Sequence, residues 1–173
     1  MARAFIGIGS NIDPADNVRA AIHALARQTR LIGISMVYLT DALGAAEQPP
    51  YYNCVVEIET EAPPAEIKFN ILRNIENSLG RRRTEDKYAP RTIDLDLIAY
   101  GDLTIDAEGI RLPDPDILKR PFLAIPLFEL APDLVLPGYG LRISEIAAKL
   151  PQGGMKPLED YARLLQEELI LHE

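Results

Sequence analysis

An α+β fold of the ferredoxin-like split βαβ kind, with a mostly antiparallel sheet flanked by helices, is predicted by three features of the sequence. Apolar runs of strand length alternate with helical stripes in the order strand, helix, strand, strand, helix, strand. Proline and glycine stand at the joints between them. A 173-residue chain with 47% hydrophobic residues is large enough to bury one sizeable core. Residues 1–173 are therefore expected to form one domain, with the helices on one face of the sheet.

The first strand is expected over Phe5–Gly9. Asp13-Pro14-Ala15-Asp16 then offers an N-cap, a proline at the first helical position and an acid in the first turn. Val18, Ala21, Ile22, Leu25 and Ala26 recur at helical spacing, so a helix should run to about Arg30. Leu31–Tyr38 reads as a second strand and Asn53–Thr60 as a third, with a long loop, Leu39–Tyr52, between them. Pro63-Pro64 opens a second helix whose stripe is Ile67, Ile71, Leu72, Ile75 and Leu79, and Gly80 is placed to stop it. Ile93–Tyr100 is the fourth strand. Six prolines between Leu112 and Pro137 predict turns and short helical pieces. Pro157–Leu171 carries Leu158, Tyr161, Leu165 and Leu169 at helical spacing and is expected as a C-terminal helical extension over 150–173, capping the domain or mediating a dimer.

Charge narrows the function classes. A net charge of −8 disfavours nonspecific nucleic-acid binding, which needs a broad positive field. No apolar run reaches the roughly 18 residues of a membrane span, and the apolar part of the N-terminus is too short for a secretory signal, so a cytoplasmic protein is expected. The single cysteine, Cys54, lies in an apolar run and is expected to be a buried, inert thiol. His23 and His172 have no plausible metal partner and read as surface residues. Gly7-x-Gly9 lacks the third glycine of a dinucleotide fingerprint, and no P-loop motif is present.

The chemistry concentrates at the fourth strand. Asp94 and Asp96 are two residues apart, so period-2 geometry sends both carboxylates to one face, roughly 7 Å apart at Cα, while Ile93, Leu95 and Leu97 point to the core. Paired hard oxygen ligands suit Mg²⁺ shared with phosphate. Taken alone, the pair reads more readily as the solvent-facing polar side of an edge strand than as a metal site. Between Arg81 and Arg91, however, five cations stand against two acids, and this segment leads directly into the strand. Guanidinium groups beside a carboxylate pair are what phosphoryl-type transfer needs, because positioning and charge neutralisation supply most of its catalysis.

These residues resemble a known family. Gly9-Ser10-Asn11, Leu43-Gly44 with Gln48-Pro49, Tyr51-Tyr52-Asn53, Gly80-Arg81 and above all Pro90-Arg91-Thr92-Ile93-Asp94-Leu95-Asp96-Leu97 are similar to the hydroxymethyldihydropterin pyrophosphokinases. Leu112-Pro113, Arg120-Pro121-Phe122 and Pro126-Leu127 extend the likeness over about residues 4–137. The resemblance implies transfer of pyrophosphate from ATP to 6-hydroxymethyl-7,8-dihydropterin, leaving AMP, with two Mg²⁺ ions held by Asp94 and Asp96. It implies catalytic roles for Arg81 and Arg91 with that pair. It implies pterin contacts from Thr40, Leu43, Tyr51, Asn53, Tyr88 and Phe122, and ATP contacts from Glu76, Arg81, Arg83, Arg91, Leu97 and Arg120. Its partners would be these two small molecules, with no nucleic acid and no membrane, and the chain would act as a monomer or a dimer.

The sequence departs from the family pattern after Leu112-Pro113, where a histidine is usual and Asp114 stands instead. Ala89 likewise replaces the glycine usual before Pro-Arg-Thr. A carboxylate facing a triphosphate would repel it, so either Asp114 turns away or ATP binds differently. Two rival readings follow: a diverged pterin- or nucleotide-binding relative with lost or altered transfer, and a nucleic-acid module using the arginine segment. The latter would need stacking aromatics on the central strands, where Ile6, Ile8, Val55, Val56 and Leu95 stand instead.

Overall fold

The computed structural model describes residues 1–42, 48–81 and 90–170. Strand β1 (Ala2–Ser10) is followed by helix α1 (Pro14–Gln28), strands β2 (Arg30–Ile34), β3 (Tyr38–Thr40) and β4 (Tyr51–Thr60), and a composite helix made of α2 (Pro64–Glu66), a π-helical stretch (Ile67–Leu72) and α3 (Arg73–Ser78). Strand β5 (Asp94–Tyr100), the hairpin β6–β7 (Ile105–Ala107, Ile110–Leu112), a 3-10 turn (Pro115–Leu118) and helix α4 (Pro121–Leu130) come next. The chain closes with β8–β9 (Val135–Leu136, Leu141–Arg142), α5 (Ile143–Lys149), β10 (Met155–Pro157) and α6 (Glu159–Leu169).

The main sheet runs β10-β3-β4-β1-β5, with β2 also paired to β4, and every pairing is antiparallel. Its four-strand centre has the order of a split βαβ fold. Along β1, Ala4, Ile6 and Ile8 pack into a core with α1, α3 and α6, whereas Phe5 joins Val55, Ile98 and helices α4 and α5 in a second core. Helices therefore cover both faces, which corrects the expectation of one. The prolines of 112–137 misled here. Pro121 sits at the start of α4, where a missing N–H costs nothing, so the helix runs ten residues even with Pro126 inside it.

Other boundaries differ for local reasons. The predicted strand Leu31–Tyr38 breaks after Ile34, because Ser35 bonds Val55 with both its N–H and its hydroxyl, and Tyr38–Thr40 resumes as a separate strand. The loop that follows is correspondingly shorter than Leu39–Tyr52, and β4 begins at Tyr51. Helix α1 ends at Gln28 rather than near Arg30, and Asp13 makes no side-chain cap. The second predicted helix is interrupted by the π-helical stretch, while Gly80 terminates it with φ +82°, a conformation glycine adopts freely.

The C-terminal segment is part of the fold. Met155–Pro157 pairs with β3, and α6 buries Ala162 and Leu165 in the first core. Arg19 and His23 of α1 both meet Glu168 of α6, so His23 is a half-buried helix contact and not a freely solvated residue. Cys54 is buried, and burial pushes its thiol up to about 12. Among the described residues, no helix is long and apolar enough to cross a membrane.

Candidate active site

A cavity of about 340 Å³ opens on the α4 side of the sheet, at the end of β1, β4 and β5. Its floor is Gly7 and Gly9 of β1, and the glycines are needed there. A Cβ on Gly9 would lie 2.8 Å from Asn53 Oδ1, and one on Gly7 would lie 3.0 Å from Leu123 Cδ2. Thr40, Tyr51 and Asn53 form one wall, and Phe122, Leu123 and Arg120 from the start of α4 form another. Asn53 Nδ2 donates to Thr40 Oγ1 at 2.7 Å, which orients the amide across the pocket. The third wall is ionic: Asp94, Asp96, Arg91, Asp114 and Asp116.

Alternation along β5 places Asp94 and Asp96 toward the cavity, while Leu95 and Leu97 lie in the first core. The two acids differ in surroundings. Asp94 accepts from Arg81 Nη1 at 2.6 Å and from Arg91 Nη1 at 2.8 Å. Asp96 has no hydrogen bond or ion pair among the described residues. Its side chain opens onto the cavity mouth, yet the enclosing walls raise its pKa to about 8, chiefly by desolvation, with Asp94, Asp114 and Glu76 adding like charge and Arg81 opposing. A carboxylate that has no paired cation among the described residues and faces neighbouring acids could hold a hard divalent cation.

Arg81 does not line the cavity. Its Nη1 bridges Asp94 and the buried Glu76, at 2.5 Å from Glu76 Oε2, and its Nε is buried without a partner. Burial works against the guanidinium charge, but Asp94 and Glu76 outweigh it and hold the group above its ordinary value. Glu76 also accepts the N–H of Leu95 at 2.9 Å. Its carboxylate thus meets Arg81 and the β5 backbone, and Glu76 does not line the cavity; its expected ATP contact rests on the resemblance. The side chain of Leu97 is packed in the core and does not line the pocket, and its expected ATP contact rests on the resemblance. Leu43, Arg83 and Tyr88 lie outside the described residues.

Asp114 neither turns away nor stands bare. Its Oδ1 accepts the N–H of Asp116 at 2.9 Å and so caps the 3-10 turn, while the residue still lines the cavity. Desolvation raises its pKa; the Asp116 N–H and the charges of Lys68 and Arg111 pull the other way.

Sequence reading assigned no role to Asn11, Asp116 or Leu123. Asn11 Oδ1 accepts from Arg91 N at 2.8 Å, and its Nδ2 donates to Gln48 Oε1 at 3.1 Å and to Pro49 O at 3.2 Å. Ser10 Oγ donates to Thr92 O at 2.5 Å. The end of β1 therefore ties the segment before β5 to the segment before β4. Only the motif Gly9-Ser10-Asn11 hinted at this, because its partners are remote in sequence.

Comparison with known proteins gives the family. The model of 7,8-dihydro-6-hydroxymethylpterin-pyrophosphokinase (HPPK) matches residues 5–132. The chain belongs to the HPPK family. It is 35% identical over 159 residues to the 2-amino-4-hydroxy-6-hydroxymethyldihydropteridine pyrophosphokinase of Pseudomonas aeruginosa, covering 90% of this chain and 96% of that one. The protein of the same name from Haemophilus influenzae is 40% identical over 140 residues, with 79% and 86% covered. Among solved structures, the HPPK-DHPS of Plasmodium falciparum with pteroate has a TM-score of 0.67 at 12% identity, covering 86% of this chain and 42% of that chain. The chain thus spans under half of that longer protein, and the likeness shows the HPPK fold alone. The HPPK match ends at Leu130-Ala131-Pro132, before β10 and α6, although both complete the sheet and core.

Proposed function

We propose that the chain transfers the pyrophosphoryl group of ATP to the hydroxyl of 6-hydroxymethyl-7,8-dihydropterin, giving AMP and the pterin diphosphate. The carrying observation is a single cavity that joins an amide-and-aromatic slot to a carboxylate pair flanked by arginines. Asn53 can donate to and accept from the amide-like edge of a pterin, and Tyr51 and Phe122 supply flat apolar surface for its ring.

The pterin hydroxyl oxygen attacks the β-phosphorus, the bond from that phosphorus to the α–β bridging oxygen breaks, and AMP departs while the hydroxyl proton is lost. Arg91 and Arg120 stand on the cavity wall, where they can bind phosphate oxygens; Arg81 acts through Asp94, whose orientation it holds. Mg²⁺, two ions on this reading, would be held by Asp94 and Asp96 and would neutralise and orient the phosphate oxygens. Leu43, Arg83 and Tyr88 keep their roles at the pterin and ATP ends by resemblance alone. The reading places the work in the cytoplasm on small molecules, in keeping with a net charge of −8 that disfavours polyanions.

The test is incubation with ATP, Mg²⁺ and the pterin alcohol, with AMP and ADP separated by chromatography and Asp96→Ala run alongside. AMP that forms only with the pterin and disappears in the variant supports pyrophosphoryl transfer. ADP, or AMP formed without the pterin, overturns it.

A further inference from the structure

Helix α4 crosses the sheet obliquely and is seated by two glycines. Leu123 lies over Gly7 of β1, and Leu130 lies over Gly33 of β2, where a Cβ would stand 3.1 Å from Leu130 Cδ2. Phe122 and Glu129 are also seven residues apart, so they share a helix face about 10 Å from each other along the axis. One end of that face enters the substrate cavity through Phe122. The other end is bonded to the break between β2 and β3: Glu129 Oε1 accepts the N–H of Met36 at 2.9 Å, and Glu129 Oε2 accepts the hydroxyl of Tyr38.

Leu127 and Ala131 bury one side of this end of α4 in the second core, but the side that carries Glu129 is open. Glu129, Ile125 and Leu130 border a second cavity of about 500 Å³ together with Met36 and Tyr38. Pro126 also removes the helical hydrogen bond that would reach back to Phe122. On the sheet side, Tyr38 is the cross-strand partner of Asn53, and Thr40, two residues along, holds the Asn53 amide.

We propose that the Glu129–Tyr38–Met36 clasp is a positioning device for the pterin end of the site, setting the distance between Phe122 on α4 and the Asn53–Thr40 pair on the sheet. Glu129 and Tyr38 touch no reacting atom; they act through the elements that carry Phe122 and Asn53. The inference rests on the pterin reading of the cavity, so its test does not depend on turnover.

The dissociation constant of 6-hydroxymethyl-7,8-dihydropterin is measured by calorimetry with α,β-methylene-ATP and Mg²⁺ present, for the unmodified chain, Glu129→Ala, Glu129→Gln and Tyr38→Phe. Losing the clasp is expected to weaken pterin binding about five- to twenty-fold in Glu129→Ala, and less in Tyr38→Phe, the cost of one or two hydrogen bonds. Affinity for the nucleotide analogue should stay within about twofold, and Glu129→Gln, whose amide can accept from Met36 and donate to Tyr38, should restore most of the pterin affinity. Parallel weakening of both ligands, no change in either, or a glutamine variant as weak as the alanine one overturns the proposal. Failure of the unmodified chain to form AMP despite binding the pterin counts against the proposed transfer only. Failure to bind the pterin overturns both.

Discussion

Arg81 Nη1 stands 2.6 Å from Asp94 Oδ1, and the same nitrogen meets the buried Glu76. One guanidinium thereby joins α3 to β5 and holds one member of the acid pair. Glu76→Ala should leave Arg81 with Asp94 as its remaining carboxylate partner among the described residues and the buried Leu95 N–H without its acceptor, and cost about 3 kcal/mol of stability by urea unfolding. It should also lower kcat more than either KM, because Asp94 loses its fixed orientation.

Among the described residues, Asp96 has no such partner. Asp96→Asn should abolish AMP formation while leaving the ligand-free urea midpoint unchanged or raised, since a desolvated carboxylate among like charges is removed. A clear fall in that midpoint would mean that Asp96 has a structural bond after all.

The two floor glycines differ in what a methyl would meet. Gly9→Ala drives Cβ against the Asn53 amide at 2.8 Å and should raise the pterin KM about tenfold. Gly7→Ala comes closest to the movable end of Leu123, at 3.0 Å, with Ile98 and Asp96 O at ordinary contact distance, and should cost less. Initial rates at varied pterin concentration compare them directly.

Asp114 combines a cap with a charge at the cavity wall. Asp114→Asn keeps the acceptor for the Asp116 N–H and removes the charge, so the ATP KM should fall several-fold with stability unchanged. Asp114→Ala should lose about 1 kcal/mol from the missing cap as well.

The Cys54 thiol, pushed up to about 12 in a buried strand, should not react with an aromatic disulfide reagent at about pH 8 until the chain is unfolded. Thiol release followed with and without guanidinium chloride checks this.

The acid pair was legible because alternation on a strand with one buried face leaves Asp94 and Asp96 a single direction, and the arginine segment lay next to it in sequence. Helix α4 was hidden by its own composition. Pro121–Leu130 is apolar on nearly every side, so no stripe marks it, and its prolines resemble turn signals. The break at Ser35 depends on a side-chain bond to Val55, and the bonds of Glu76 to Arg81 and Leu95 were hidden because packing sets them. The π-helical stretch escaped because a 3.6-residue stripe fits Ile67, Leu72 and Ile75 well enough to pass as one regular helix.

Strand β3, which carries Thr40 to the cavity, is hydrogen-bonded on one side to β4 and on the other to Met155–Pro157. During synthesis the first of these neighbours follows it promptly, whereas the second, β10, is made only after every residue that lines the cavity. The outer edge of β3 therefore stays unpaired while the cavity's side chains already exist, and the nascent protein carries an open strand edge until β10 arrives. Arrest of translation before β10 should leave a species prone to pairing with other chains, so β10 guards this fold during its making as well as completing it.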